Sequence, residues 1–287
     1  MKASAMISTS HPNRRRPDAA ADLDEAVGLL QRALVQDLSA ATLAPPAAAL
    51  RERVLRRVAD SASRHAALHT VRERHAAVVA LAPGVQARWL YRSQDPAALR
   101  PGEPGAVIVL ELIPGASLRN GTGLGLAGSA SEWLVLRGGI ELDGIRLDAL
   151  DHQCRGAAQG EPRISSRQGA TVYLRSGAST PLPGHTSRAR GAQWHDYAPG
   201  IQRRVIWQEG SEVCYIARAM AGAAVPSHDH HHVEECLMLD GDVFTGDILL
   251  RNGEFQLAPI GFVHGTVQAA TDALVYLRGD AELAIVG

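Results

Sequence analysis

The spacing of apolar residues changes period near residue 77. Upstream, Leu23, Val27, Leu30, Leu34 and Leu38 recur at helical intervals behind Asp22 and Glu25, which have the spacing of a capping box. Pro45 and Pro46 interrupt that pattern. A second helix is predicted from about Ala47, with Leu50, Val54, Leu55 and Val58 on one side. Residues 1–20 are polar, aperiodic and Pro-containing, which predicts a disordered tail, and residues 21–76 form a helical region or connector. Arg51, Arg53, Arg56 and Arg57 crowd the second helix. Such a charge run is usually a solvated face; a docking surface is the other reading.

Downstream, short apolar segments alternate with Gly and Pro, as in an all-β barrel or sandwich. These segments repeat. ALAPGVQARWLY at 80–91 is echoed by DYAPGIQRRVIW at 196–207, EWLVLRG at 132–138 by ECLMLDG at 235–241, and ATVYLR at 170–175 by ALVYLR at 273–278. Three matches in one order, about 100 residues apart, exceed any solenoid period. They predict a duplicated small β domain, with repeats at 77–184 and 191–287 and identical folds.

Composition narrows the function classes. The formal net charge is -1, from 29 basic and 30 acidic residues, so no global field calls for nucleic acid or an anionic membrane. Lys2 is the only lysine. Cys154, Cys214 and Cys236 are widely spaced with no C-x-x-C pair, which argues against a disulfide framework or zinc finger and fits a reducing cytoplasm. Pro17 and Asp18 follow the Arg14–Arg16 run where a signal peptide needs apolar residues, and no stretch reaches the ~18 apolar residues of a membrane span.

Candidate chemistry concentrates in the second repeat. His228, His230 and Glu234 share one parity, so on a regular strand all three point into the barrel, and so does His232. His264, after the turn around Pro259 and Gly261, supplies a fourth donor. Imidazole nitrogen and carboxylate oxygen suit divalent first-row metals. Parity assigns Glu234 to the metal and Glu235 to the barrel's outer side or to a contact behind the ligands. Taken alone, the run His230–His232 would be no more than a polar loop. It is followed, however, by a second ordered pattern: G-x5-H-x-H-x3-E-x6-G from Gly222 to Gly241, then G-x5-P-x-G-x2-H from Gly253 to His264.

Those two patterns, in that order, resemble the sequence motifs of cupins. The likeness is narrower to ChrR-type proteins, anti-sigma or transcriptional regulators with a zinc-binding C-terminal cupin. These have a similar H-x-H-x3-E-E-x-L-x-L-x-G segment, a distal histidine and an opening Pro-Gly-Val like Pro83-Gly84-Val85 and Pro199-Gly200-Ile201 here. The likeness covers most of residues 77–287 and is strongest from Trp194 to Gly279. It implies two tandem jelly-roll barrels after a short helical region, with one divalent metal, zinc first and iron, manganese or nickel as alternatives, on His228, His230, Glu234 and His264. Two departures stand out. His232-Val233 replaces a frequent glycine pair, and residues 1–75 contain no cysteine where the family's anti-sigma module holds its own zinc through H-x3-C-x2-C. Residues 43–55 nevertheless look like the helical connector that follows such modules.

The first repeat lacks the ligands, with Asn120–Leu126 against His228 and His230, and Ser131 against Glu234. It is expected to keep the barrel without metal. His152, near the place of the distal ligand, is expected to be an exposed or hydrogen-bonded loop residue. Cys236 shares the parity of Glu234 and is expected to be an inert core thiol. His65, His69, His75, His185 and His195 have no partners at ligand spacing and are expected at the surface or an interface. Two functions follow: a regulator or sensor, or a dioxygenase or isomerase using iron, manganese or nickel on a small oxygen-bearing substrate. The expected partners are a sigma factor at the N-terminal helices, a small molecule in the C-terminal barrel and a second copy of the chain.

Overall fold

The computed structural model of the protein describes residues 48–118, 124 and 128–286. The predicted tail, the first predicted helix and most of segment 120–126 lie outside the described residues. The chain divides into two compact units, 1–59 and 60–287. The helix Ala48–Ala67 crosses that boundary, and what is described after it is β-structure with turns and the short 3-10 helices Glu73–His75, Pro96–Ala98 and Ala157–Gln159.

Two large sheets carry the β region, and their strand orders match. One runs Thr186–Ser187, His152–Arg155, Ala130–Leu142, Ala170–Gly177, Pro104–Leu112, Val85–Arg92, Val78–Ala82. The other runs His69–Val71, Phe255–Ala258, Glu234–Asp240, Ala273–Asp280, Glu212–Ala219, Ile201–Glu209, His195–Ala198. Smaller sheets close each barrel. In the second, Ala224–Val225, Val267–Ala269, Asp242–Thr245 and Ile248–Arg251 form one, and Val263–His264, His228–Asp229 and Ala284–Ile285 another. The fold is two tandem jelly-roll barrels after an N-terminal helix, as the family resemblance implied and in line with the duplicated β domain that the repeats predicted.

The first strand of each set is exchanged. His69–Val71 precedes the first barrel in sequence but pairs with Phe255–Leu257 of the second, while Thr186–Ser187 precedes the second barrel but pairs with His152–Gln153 of the first. The histidines beside them bind across the junction. His69 Nε2 lies 2.7 Å from the Leu90 carbonyl oxygen, and His185 Nε2 lies 3.1 Å from that of Ile206. A connector and a join in the sequence thus tie the barrels together.

Alternation along the strands builds three kinds of core. Trp133, Val135, Val172 and Leu174 fill the first barrel; Cys236, Met238, Val243 and Val275 belong to the second. Their neighbours on the opposite faces, including Leu134, Tyr173, Leu237 and Tyr276, meet between the two sheets. Strands buried on both faces explain why these segments read as nearly continuous apolar runs. The glycine ending each repeated strand has one cause in both: at Gly138 and Gly241, φ is +73° and +72°, and a Cβ would stand 2.1 Å from the carbonyl oxygen of Gly169 or Asp272.

Candidate metal centre

His228 and His264 face each other across the pair His228–Asp229 and Val263–His264. The chain then bends, so the regular strand assumed for 228–234 is broken at 231–232. A backbone bond from Gly261 N–H to the His230 carbonyl, 2.7 Å, ties the bend to the turn before His264. Glu234 opens the next strand, opposite Ala258. Local turns, rather than one strand's parity, therefore bring the four residues together.

The cluster is tight and largely dry. Donor atoms of His228, His230 and Glu234 all lie within 4.8 Å of one another. His264 Nε2 stands 3.2 Å from Glu234 Oε1, and its ring centroid is 5.5 Å from that of His228 and 4.9 Å from that of His230. The three histidines are buried, and Glu234 is partly buried. His228 Nδ1 lies 2.8 Å from the Pro226 carbonyl oxygen; a proton donated there leaves Nε2 as a free lone pair. Among the described residues, both ring nitrogens of His230 and Nε2 of His264 have no hydrogen-bond partner. Buried imidazoles without partners are costly unless something else takes the lone pairs, and this donor set suits a divalent ion.

Electrostatics agree. Burial alone would raise the Glu234 carboxyl, but the neighbouring imidazoles of His230 and His264 hold it down at about 2. Burial also lowers the His230 pKa against the pull of Glu234. Neutral imidazole and ionised carboxylate are the forms a metal needs.

His232 does not join the cluster. Its Nδ1 lies 2.6 Å from Asp280 Oδ1, and the backbone N–H of His231 donates to Oδ2 at 3.0 Å. Asp280 also approaches His230 Nδ1 at 3.5 Å, so it backs one imidazole while holding the other away. Asp280 carries no signal in the sequence, because nothing near it in the chain resembles a ligand motif.

A cavity of about 80 Å³ adjoins the cluster. His228 and Glu234 reach its wall, and Tyr197, Tyr215, Val243 and Leu277 are among the residues around it. Among the described residues, no lysine or arginine lines it. Cys236 is on this wall, a buried thiol whose pKa is pushed up by burial and by Glu234. The matching positions described in the first barrel hold different groups. Trp133 stands where Cys236 does and is fully buried in the core, donating its indole N–H to Ser131 Oγ at 2.9 Å, and Ser131 stands where Glu234 does.

One expectation needs correcting. His152 is neither exposed nor in a loop; it lies fully buried on the strand His152–Arg155, because that strand faces the second barrel. Glu235 points out of its barrel, as its parity assigned, and there meets the outer face of the other barrel. Tyr173 Oη donates to Glu235 Oε2 at 2.6 Å and Arg175 Nε to Oε1 at 2.6 Å, and Arg278 Nη1 is 3.5 Å away. The equivalent Glu132 accepts from Trp207 Nε1 at 3.0 Å, with Arg175 and Arg278 each at 3.5 Å. Glu132 with Glu235, Tyr173 with Tyr276 and Arg175 with Arg278 are corresponding residues of the repeats. The polar hub between the barrels was thus present in the repeated strings, visible as charges at fixed places in apolar strands.

Residues 167–283 match the family described as the ChrR Cupin-like domain. No curated protein matches the chain. Among solved structures, a putative dioxygenase from Nostoc punctiforme is similar over 77% of this chain and 85% of its own, at 13% identity and TM-score 0.57. An oxalate decarboxylase from Lactobacillus farciminis, in a formate complex, is similar over 75% and 87%, at 12% identity and TM-score 0.54. A putative glyoxylate-induced protein from Pseudomonas aeruginosa covers 75% and 89%, at 12% identity and TM-score 0.58. At such identity the likeness is one of fold. Among the described residues, no helix is long and apolar enough to cross a membrane.

Proposed function

We propose that the chain is a metal-binding regulatory bicupin that senses a small uncharged molecule, because residues 167–283 match the ChrR Cupin-like domain within a two-barrel cupin fold. The metal sits on His228, His230, Glu234 and His264. Zinc is the first choice for this donor set, with iron, manganese and nickel able to take the same ligands. When bound, the ion supplies a Lewis acid toward a ligand oxygen at the cavity wall.

The observation that carries this reading is the pairing of Glu234 with Glu235. Adjacent strand residues point to opposite faces, so one peptide places a metal-binding carboxylate inside the barrel and the centre of the inter-barrel network outside it. A ligand that shifts Glu234 also strains the bonds from Tyr173 and Arg175 in the first barrel. Apart from the ion itself, no cationic side chain among the residues described in the lining would meet further negative charge, so the cavity favours a neutral ligand with one oxygen toward the metal. That lining also weighs against oxalate-type substrates. Signalling then passes to the N-terminal region and a sigma factor or comparable protein partner in the cytoplasm.

The second reading is an oxygenase or isomerase, favoured by an ion-sized cluster open to a cavity rather than closed by protein. The test uses protein purified without a histidine tag. Metal analysis is followed by co-purification with sigma factors and by oxygen uptake with small diketones and flavonols. Metal bound without oxygen uptake, together with a sigma partner released by metal removal, supports regulation. Oxygen uptake abolished by Glu234→Gln, with no partner found, would replace it with the enzyme reading.

A further inference from the structure

The junction between the barrels contains a second cluster that the cupin site does not use. Glu132 and His152 from the first barrel and Cys214 from the second present a carboxylate oxygen, an imidazole nitrogen and a thiol sulfur within 4.8 Å of one another. All three are fully buried or nearly so. The geometry points to a second metal site here: we propose that Glu132, His152 and Cys214 bind one zinc-class divalent ion that joins the barrels.

Four observations support it. First, neither ring nitrogen of His152 has a hydrogen-bond partner among the described residues, although the side chain is wholly buried; Glu132 Oε2 stands 3.5 Å from Nε2. A buried imidazole left bare on both sides is rare in a settled core. Second, Glu132 divides its work: Arg175 and Arg278 approach Oε1, while Oε2 faces His152 and the Trp207 indole N–H. One lone pair of Oε2 thus remains beside the bare imidazole. Third, Cys154 pairs directly across from Glu132 on the neighbouring strand and belongs to the same inter-barrel core, so the surroundings of the cluster include a second thiol. Fourth, the mixture of thiol, imidazole and carboxylate is softer than the cupin set and suits zinc.

Burial excludes the rival reading of Cys214, His152 and Glu132 as a hydrolytic triad, since no substrate reaches the sulfur. Burial and the Glu132 charge hold the Cys214 thiol well above its ordinary pKa. Binding the divalent ion therefore breaks the S–H bond and forms a metal–thiolate bond, and the proton goes to solvent. The donors come from both repeats, so the ion acts as a staple between them.

Sulfur makes this site separable from the cupin site, whose donors are nitrogen and oxygen. Full-length untagged protein is stripped and reloaded with cobalt(II), a zinc surrogate. The expected result is near two cobalt ions per chain with a thiolate-to-cobalt charge-transfer band in the near ultraviolet. His228→Ala combined with His264→Ala keeps the band and falls to one ion. Cys214→Ser and His152→Gln each lose the band and one ion, while Cys236→Ser, beside the cupin site, keeps both. A wild-type protein that takes up only one cobalt and shows no charge-transfer band overturns the proposal without reference to how any variant folds. So does a band that disappears in Cys236→Ser and survives in Cys214→Ser.

Discussion

The two barrels share a strand order and a common outer face, but their interiors differ. On the face where they meet, equivalent residues do equivalent things: Glu132 and Glu235 accept from the guanidinium groups, Arg175 and Arg278 bridge them, and Tyr173 packs against Tyr276 at 4.8 Å between ring centroids. Inside, the second barrel has three buried imidazoles, a carboxylate and a cavity, whereas the first has Trp133 and Ser131 bonded to each other. Packing between the repeats requires both copies of the outer face at once. The interior of each barrel is constrained only by its own contents, so one can hold a donor cluster while the other is filled by an indole.

The sharpest way to break that comparison is at the shared face. Glu235→Gln removes the charge between Arg175 and Arg278, and breaking a buried ion pair of this kind costs ~3–5 kcal/mol. Glu132→Gln in the metal-free protein is expected to cost a similar amount, because Arg175 and Arg278 serve both carboxylates. Chemical denaturation of both variants checks this; a loss below ~1 kcal/mol at Glu235, the level of an exposed pair, would show that the hub is not a coupled network.

The interiors can be tested by exchanging their decisive residues. Trp133→Cys opens a void in the first barrel and is expected to destabilise it by about 3 kcal/mol, at the lower end for removing a buried tryptophan. The reverse change, Cys236→Trp, fills the cavity beside Glu234. It should exclude a ligand from the second barrel, seen as loss of ligand-induced thermal stabilisation. An unchanged melting temperature for Trp133→Cys would mean that the indole is not what closes the first barrel.

A third test concerns the ligand against its neighbour in sequence. Glu234→Gln is expected to lower metal affinity by more than the ~10–100-fold typical of a group that only supports a ligand. Glu235→Gln should stay within that range despite its larger effect on stability. Metal content after dialysis against a chelator separates them. Adding His232→Ala to Glu234→Gln should change little, because Asp280 already holds His232 away. Loss of metal from Glu235→Gln alone would reverse the inward and outward assignment.

These residues also show what the sequence could reveal. The repeat was legible because strand segments that pack on both faces leave little freedom in composition, and the candidate donor cluster could be sought because its residues lie within two short motifs. The bend at 231–232 was not legible, since parity arguments assume an unbroken strand. The burial of His152 was hidden for another reason: its environment is completed by the other barrel, at Cys214, with no local signal in the chain. The same applies to Glu235, correctly placed on the outer side but with no indication that the outer side is covered. The exchanged strands read as connector and join because so short a strand carries too little periodicity to register.

Those exchanged strands give the smallest expected effect and the finest test of how the barrels depend on each other. The pairing of His69, Thr70 and Val71 with Leu257, Gln256 and Phe255 means that an N-terminal truncation has a structural limit. Removing residues 1–59 follows the division of the chain into its two units and leaves the strand in place. Removing residues 1–75 takes away that edge strand, the His69 bond to Leu90, and the ion pair of Arg72 with Glu254. A few partly exposed hydrogen bonds at ~0.5–1.5 kcal/mol each amount to about 2 kcal/mol. The shorter truncation should therefore melt with the intact protein, and the longer one a few degrees lower, with increased hydrogen exchange at Phe255–Leu257, now an edge. Equal melting temperatures and equal protection at that strand would mean that the exchange contributes nothing, and that the two barrels are held together by the polar hub and the apolar face alone.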